Sequence, residues 1–227
     1  ASESRMNSAR SMGRIVGVLL LAQLAGLIVP FVMLRALTAP PGFLQSASQS
    51  AGVIRWAMLL LLVNGALATG ISVLVHPILR PSSRAMAQWL IVLGATWLAL
   101  QAVDRTHVMA MLSLSRQYAE SAGTPAQLFA IVGPVASASR VAAHYAVLLA
   151  IGAWMLVFYS ALWRSRLVPW VLPAFGVCAA ASHMIGVSLP VFIGYRSVML
   201  LAPVLAVSHG ALILWLLARG FEDRPPA

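Results

Sequence analysis

The chain has 227 residues, of which 61% are hydrophobic and only 9% are charged. A water-soluble globule of this length needs more polar surface, so the composition excludes that class and indicates an integral membrane protein. All fifteen basic residues are arginine and the net charge is +10, but the arginines stand singly at the ends of apolar runs, where they meet lipid headgroups, so we expect no nucleic-acid partner.

Six apolar runs are each long enough to cross a bilayer, which takes about 20 residues in a helix. They lack the alternation that lipid-facing barrel strands need, so the sequence predicts an all-α fold with six transmembrane helices in one bundle. In chain order the predicted spans are 14–35, 54–79, 87–112, 141–163, 168–194 and 198–217.

The distribution of arginine predicts the orientation. With the N-terminus inside, nine arginines lie on the cytoplasmic side and six on the other side, as the positive-inside rule requires. Both termini are therefore predicted to be cytoplasmic. The predicted organisation is a polar segment over 1–13, a six-helix transmembrane domain over 14–217 and a short cytoplasmic tail over 218–227.

Two linkers are longer than the others, 36–53 and 113–140, and both lie on the outer side in this topology. Long loops commonly carry binding sites or partner contacts. The sequence therefore directs attention to the outer half of the bundle.

Ionisable residues are costly at membrane depth, so each one inside a predicted span is a candidate for a functional site. The chain has five histidines, one in each of helices two to six: His76, His107, His144, His183 and His209. Predicted depth divides them into an outer group, His107, His144 and His183, and a second, weaker group, His76 and His209.

Helical spacing adds neighbours to the outer group. Asp104 and His107 are three residues apart on one face of helix three, and Arg140 and His144 are four apart on helix four. Asp104 is the only acid inside the predicted spans. The predicted site therefore consists of Asp104, His107, Arg140, His144 and His183.

The chemistry of this site has alternative interpretations. In the first interpretation the site is structural: Asp104 pairs with Arg105 or Arg140, and the histidines donate hydrogen bonds to backbone carbonyls. In the second, His107, His144 and His183 hold a transition metal or a haem b. A proton-coupled or catalytic role is the third, although the sequence carries no catalytic signature, so enzymatic activity stays open.

Several stretches resemble a bacterial membrane family catalogued as domain of unknown function 4386. They are "MNSAR" with "RIVGVLLLAQLAG", "HPILR", "WRSRLVPWVLPAFG" and "LARGF". The resemblance implies a six-helix fold and a bacterial inner-membrane location, and it brings no established activity. It also implies that Met6 is the natural start and that residues 1–5 are an added remnant.

The leading functional hypothesis is a binding protein or accessory membrane subunit that holds a small ligand or prosthetic group in the outer-half polar cluster. Two alternatives stay open: a small haem b or metal-dependent oxidoreductase built on the same histidines, and a structural subunit of a larger membrane complex. The expected partners are the lipid bilayer, a small apolar ligand and other subunits of a membrane complex.

Overall fold

The computed structural model describes residues 2–38, 42–120, 126–193 and 202–222, and within these ranges the chain is helical without any strand. The predicted all-α fold is confirmed. The elements in order are α1 (Ser2–Met33), a 3₁₀ helix (Leu34–Leu37), α2 (Phe43–Ser46), α3 (Ala51–Leu79), α4 (Arg84–Glu120), α5 (Ala126–Ser165), α6 (Val171–Ile193) and α7 (Ala202–Arg219).

Five of these helices, α1, α3, α4, α5 and α6, are long and apolar enough to cross a membrane. The sixth long helix, α7, is apolar but shorter, with its apolar stretch at Val204–Arg219. The chain is thus a helical membrane protein. The sixth crossing stays a prediction, because the start of the predicted span 198–217 lies outside the described residues.

The six long helices form a closed ring. Each packs against the next in chain order, from α1 and α3 through α4, α5 and α6 to α7, and α7 returns to pack against α1. Large apolar side chains on the outer surface are exposed, among them Phe31, Ile185 and Leu214. A ring with an apolar exterior is the form that lipid requires of a helical bundle.

Contacts between distant parts of the sequence close one end of the ring, which carries both chain ends and is called the terminal end below. Arg14 donates to the carbonyl of Ala218 (3.4 Å), and the backbone N–H of Glu222 donates to Leu167 (2.7 Å). Gly13 packs directly against the backbone of Phe221, where a Cβ would not fit. The residues after α7, as far as Glu222, therefore pack on the bundle.

The opposite end of the ring is called the distal end below, and there the structure differs from the predicted linkers. Residues 113–120 continue α4 and residues 126–140 belong to α5, while 36–53 contain the end of the 3₁₀ helix, α2 and the start of α3. The apolar criterion fails here because it measures affinity for lipid, whereas these polar and small residues still favour a helix outside it. Ser115 fixes α2 on α4, since its hydroxyl accepts from the N–H of Ser48 (2.8 Å) and donates to the carbonyl of Leu44 (2.9 Å).

Aromatic side chains fill the centre of the ring. The Trp154 ring stacks on Phe158 with centroids 5.0 Å apart and meets Trp97 at 5.8 Å. Its indole N–H donates to the hydroxyl of Ser72 (2.8 Å), which in turn donates to the carbonyl of Ala68 (2.7 Å). This core is fully buried, so the middle of the ring is packed rather than open.

Candidate functional site

A cluster of charged side chains lies between α4 and α5 in the distal half of the bundle. The buried positions of α4 recur every three or four residues, which turns Asp104 and Arg105 toward the interior. Arg140 and His144, one turn apart on α5, face Asp104. Asp104, Arg105, Arg140 and His144 are called the ion cluster below.

Asp104 is the centre of the ion cluster, and its side chain is completely buried. Its Oδ2 atom pairs with Nη2 of Arg105 and lies 3.6 Å from Nδ1 of His144. Its Oδ1 atom lies 3.8 Å from Nε of Arg140. A single carboxylate therefore faces three basic side chains on two helices.

The ion cluster lies near the distal edge of the apolar layer. Asp104 is twenty residues from the start of α4 at Arg84, a rise of about 30 Å, which matches the thickness of the hydrocarbon core. Arg105 is 5% exposed. Charged groups at this depth need partners, because water does not solvate them fully.

Among the described side chains of the ion cluster, positive charge exceeds negative charge. Two guanidinium groups face one carboxylate, and arginine stays protonated in proteins. The chain has five acids, and those other than Asp104 are Glu3, Glu120, Glu222 and Asp223. Glu120 is exposed and sixteen residues further along α4, about 24 Å away. The other three lie in the first three and last six residues of the sequence.

Hydrogen-bond donors in the ion cluster also lack acceptors. Within the described ranges Nε and Nη1 of Arg105 have no hydrogen-bond partner. Nε of Arg140 and Nδ1 of His144 face the oxygens of Asp104 at 3.8 Å and 3.6 Å, which is too far for a hydrogen bond. A buried donor without an acceptor costs free energy. The unpaired donors and the missing negative charge therefore lie at the same place.

His144 forms the accessible edge of the ion cluster. Its side chain is 38% exposed, whereas that of Arg140 is 11% exposed and that of Asp104 is 0% exposed. His144 and, to a smaller extent, Arg140 are therefore the members of the ion cluster whose side chains reach the surface of the bundle.

A cleft lies further toward the distal end, between α2, α4 and α5. Its volume is about 340 Å³, and it is bounded by Phe43 and Leu44 of α2, Tyr118 of α4 and Phe129 of α5. Ser137 also lines it, one helical turn from Arg140 on α5. The cleft thus joins an apolar wall to the neighbourhood of the ion cluster.

Residues 15–220 match the family described as "Domain of unknown function (DUF4386)". The chain belongs to this family. No curated protein and no solved structure is matched by the sequence.

In this DUF4386 protein, His183 and His107 lie apart from the ion cluster. Nε2 of His183 donates to the carbonyl of Leu148 on α5 (3.2 Å), one turn along from His144. The half-buried His107 makes no hydrogen bond or ion pair within the described ranges. No group of three His, Cys, Asp or Glu side chains among the described residues is arranged to hold a metal ion. The described residues therefore give no support to the metal site predicted from these histidines, and haem binding stays a prediction.

The second predicted group, His76 and His209, is also not brought together. His76 is half-buried at the terminal end of α3, and α3 does not pack beside α7, which carries His209. Nδ1 of His209 instead shares a 3.0 Å hydrogen bond with the hydroxyl of Tyr159, deep between α5 and α7. Nε2 of His209 has no partner among the described side chains and backbone groups.

Arg105 is the member of the ion cluster that the predicted site left out. The sequence offers Arg105 only as a structural partner of Asp104, since consecutive helical residues point about 100° apart. The buried stripe of α4 is wide enough to include both residues. The sequence signal that Arg105 faces the interior is Val108, an apolar residue three positions on that continues the buried stripe from Arg105.

Proposed function

We propose that this DUF4386 protein is a membrane binding protein, or an accessory membrane subunit, that holds a small organic anion in the ion cluster. The observation that carries the proposal is the excess positive charge of Arg105 and Arg140 over Asp104, the one acid among the described residues that pairs with them. An uncompensated buried charge is strongly destabilising, so an anion bound there would stabilise the fold.

The donors of the ion cluster indicate the ligand chemistry. Guanidinium groups bind carboxylates and phosphates through parallel N–H···O bonds, and the unpaired N–H groups belong to guanidinium and imidazole groups. His144 would contact the ligand at the accessible edge, while Asp104 fixes Arg105. The ligand is therefore a carboxylate or a phosphate, with the apolar cleft beside it available to a short hydrocarbon part.

The proposed location is the bacterial inner membrane, with the terminal end in the cytoplasm. Arginines at the terminal end include Arg14, Arg80 and Arg164, and the positive-inside rule places such an end in the cytoplasm. Exposed tryptophans Trp89 and Trp170 near the same end suit the membrane interface. The ion cluster then opens toward the outer side.

The substitution Arg140→Gln removes one of the two proposed anion-binding arginines. It tests anion binding without breaking the internal pairing of Asp104, because the Asp104–Arg105 pair remains. We expect phosphate or a short carboxylate to raise the thermal midpoint of the detergent-purified wild type at constant ionic strength. At a concentration 100-fold above the Kd the gain is about 2.7 kcal/mol. In Arg140→Gln the same concentration series should give a much smaller shift.

Arg116→Gln is the matched control, since Arg116 is an exposed arginine on the same distal part of α4. Its anion-dependent stabilisation should equal that of the wild type. Equal shifts in the wild type and in Arg140→Gln, or no shift in the wild type with any carboxylate or phosphate, would contradict the proposal.

A further inference from the structure

Buried polar side chains continue from the ion cluster toward the centre of the ring. Gln101 lies one turn before Asp104 on the same face of α4 and is 1% exposed. Asn64 of α3 and Gln23 of α1 are 0% exposed. Gln23, Asn64 and Gln101 are called the amide layer below.

Close contacts hold α1, α3 and α4 together at this level. A Cβ at Gly26 of α1 would lie 2.8 Å from Nδ2 of Asn64, and a Cβ at Gly65 of α3 would lie 3.0 Å from Cα of Leu98. Leu98 is three residues before Gln101. Gln101 therefore lies about one helical turn inward from Asp104, and Asn64, beside the level of Leu98, lies nearly two turns inward.

Several hydrogen-bonding atoms in the amide layer are unused. Nδ2 of Asn64 donates to the backbone carbonyl of Gln23. In the part of the chain that the structure describes, no partner contacts Oδ1 of Asn64, Oε1 and Nε2 of Gln23 or Oε1 of Gln101. The indole N–H of Trp97, one turn before Gln101, is also without an acceptor. Donors and acceptors are thus both available, as neutral hydroxyl groups require.

We infer that the ligand of the ion cluster is a hydroxylated organic anion, whose charged group lies on Arg105 and Arg140 and whose hydroxyl groups bond to the amide layer. This inference rests on the proposed function. A plain alkyl chain would leave the amides unpartnered, which buried polar groups disfavour. A cation is disfavoured by the neighbouring guanidinium groups.

Pairs of anions that differ only in hydroxyl groups test this inference. Propionate is compared with lactate, and n-propyl phosphate with glycerol phosphate, by titration of the full chain in a neutral detergent. The wild type should bind the hydroxylated member of each pair about tenfold more tightly, the effect of one or two additional hydrogen bonds. Gln101→Leu should remove this preference and keep the affinity for propionate and n-propyl phosphate.

Gln117→Leu is the matched control, because Gln117 is an exposed glutamine on the same helix, and it should retain the preference. Asn64→Leu provides a second variant if Gln101→Leu does not fold. Equal affinities within each pair in the wild type would overturn the inference and leave the proposed function standing. Binding of none of the four anions would overturn both.

Two sources supply anions of this chemistry, a soluble hydroxy acid or sugar phosphate and a glycerophosphate lipid headgroup. The titration is therefore repeated in phosphatidylcholine nanodiscs with and without phosphatidylglycerol. Competition by phosphatidylglycerol assigns the site to a lipid headgroup, and unchanged affinity assigns it to a soluble anion.

Discussion

Asp104→Asn is expected to destabilise the protein more than any other single change in the ion cluster. The substitution preserves the size of the side chain but leaves Arg105 and Arg140 facing each other without a carboxylate. Breaking a buried ion pair by removing one partner costs about 3–5 kcal/mol. The thermal midpoint in detergent should fall by about 10 °C, and added phosphate should restore part of the loss.

Glu120→Gln is the control for Asp104→Asn, since it removes an exposed acid from the same helix. It should leave the thermal midpoint nearly unchanged. Adding Arg105→Leu to Asp104→Asn removes a positive charge together with the negative one, so the double variant should be more stable than Asp104→Asn alone. An Asp104→Asn protein that melts with the wild type would show that the ion cluster is solvated by water.

Trp154→Ala is expected to have an effect of similar size for a different reason. The Trp154 ring is 0% exposed and contacts Trp97 and Phe158, and its N–H donates to Ser72. Truncation leaves a cavity in the centre of the ring and removes the N–H that donates to Ser72, and such changes cost about 3–5 kcal/mol. Thermal unfolding followed by tryptophan fluorescence or by aggregation measures the loss.

Trp170→Ala removes the same side chain from a 68% exposed position and serves as the control. The thermal midpoint of Trp154→Phe should lie between those of Trp154→Ala and Trp170→Ala, because this variant retains a ring against Phe158 but loses the hydrogen bond to Ser72. If Trp154→Ala and Trp170→Ala melted at the same temperature, the aromatic centre would not be the packed core described above.

The fold was largely predictable because apolar runs report affinity for lipid. At the terminal end α3 ends at Leu79 as the second span does, whereas α1 begins at Ser2, twelve residues before the first predicted span. The distal ends of α4 and α5 were missed, since helicity continues there without lipid-like composition. Composition alone also does not establish that α7 crosses the membrane, as its apolar stretch is short.

The candidate site was predictable only in part because depth and rotation are separate properties of a helix. Helical spacing places Asp104 on one face of α4 and places Arg140 and His144 together on one face of α5. These three side chains do meet in the structure. His183 has a similar predicted depth, but its Nε2 is bonded to the backbone of α5 instead. The rotation of α6 that sets this contact depends on packing of small residues such as Gly152 against His183 and Met184.

The proposed anion site is tested most simply by locating an anion in crystals of the purified protein soaked in selenate, whose selenium atom gives an anomalous signal. We expect a selenium peak with its oxygens within hydrogen-bond distance of the guanidinium groups of Arg105 and Arg140, and no such peak in Arg140→Gln. Wild-type crystals without selenate in the ion cluster, in which Arg105 and Arg140 bond only to protein groups or to water, would contradict the proposed anion site.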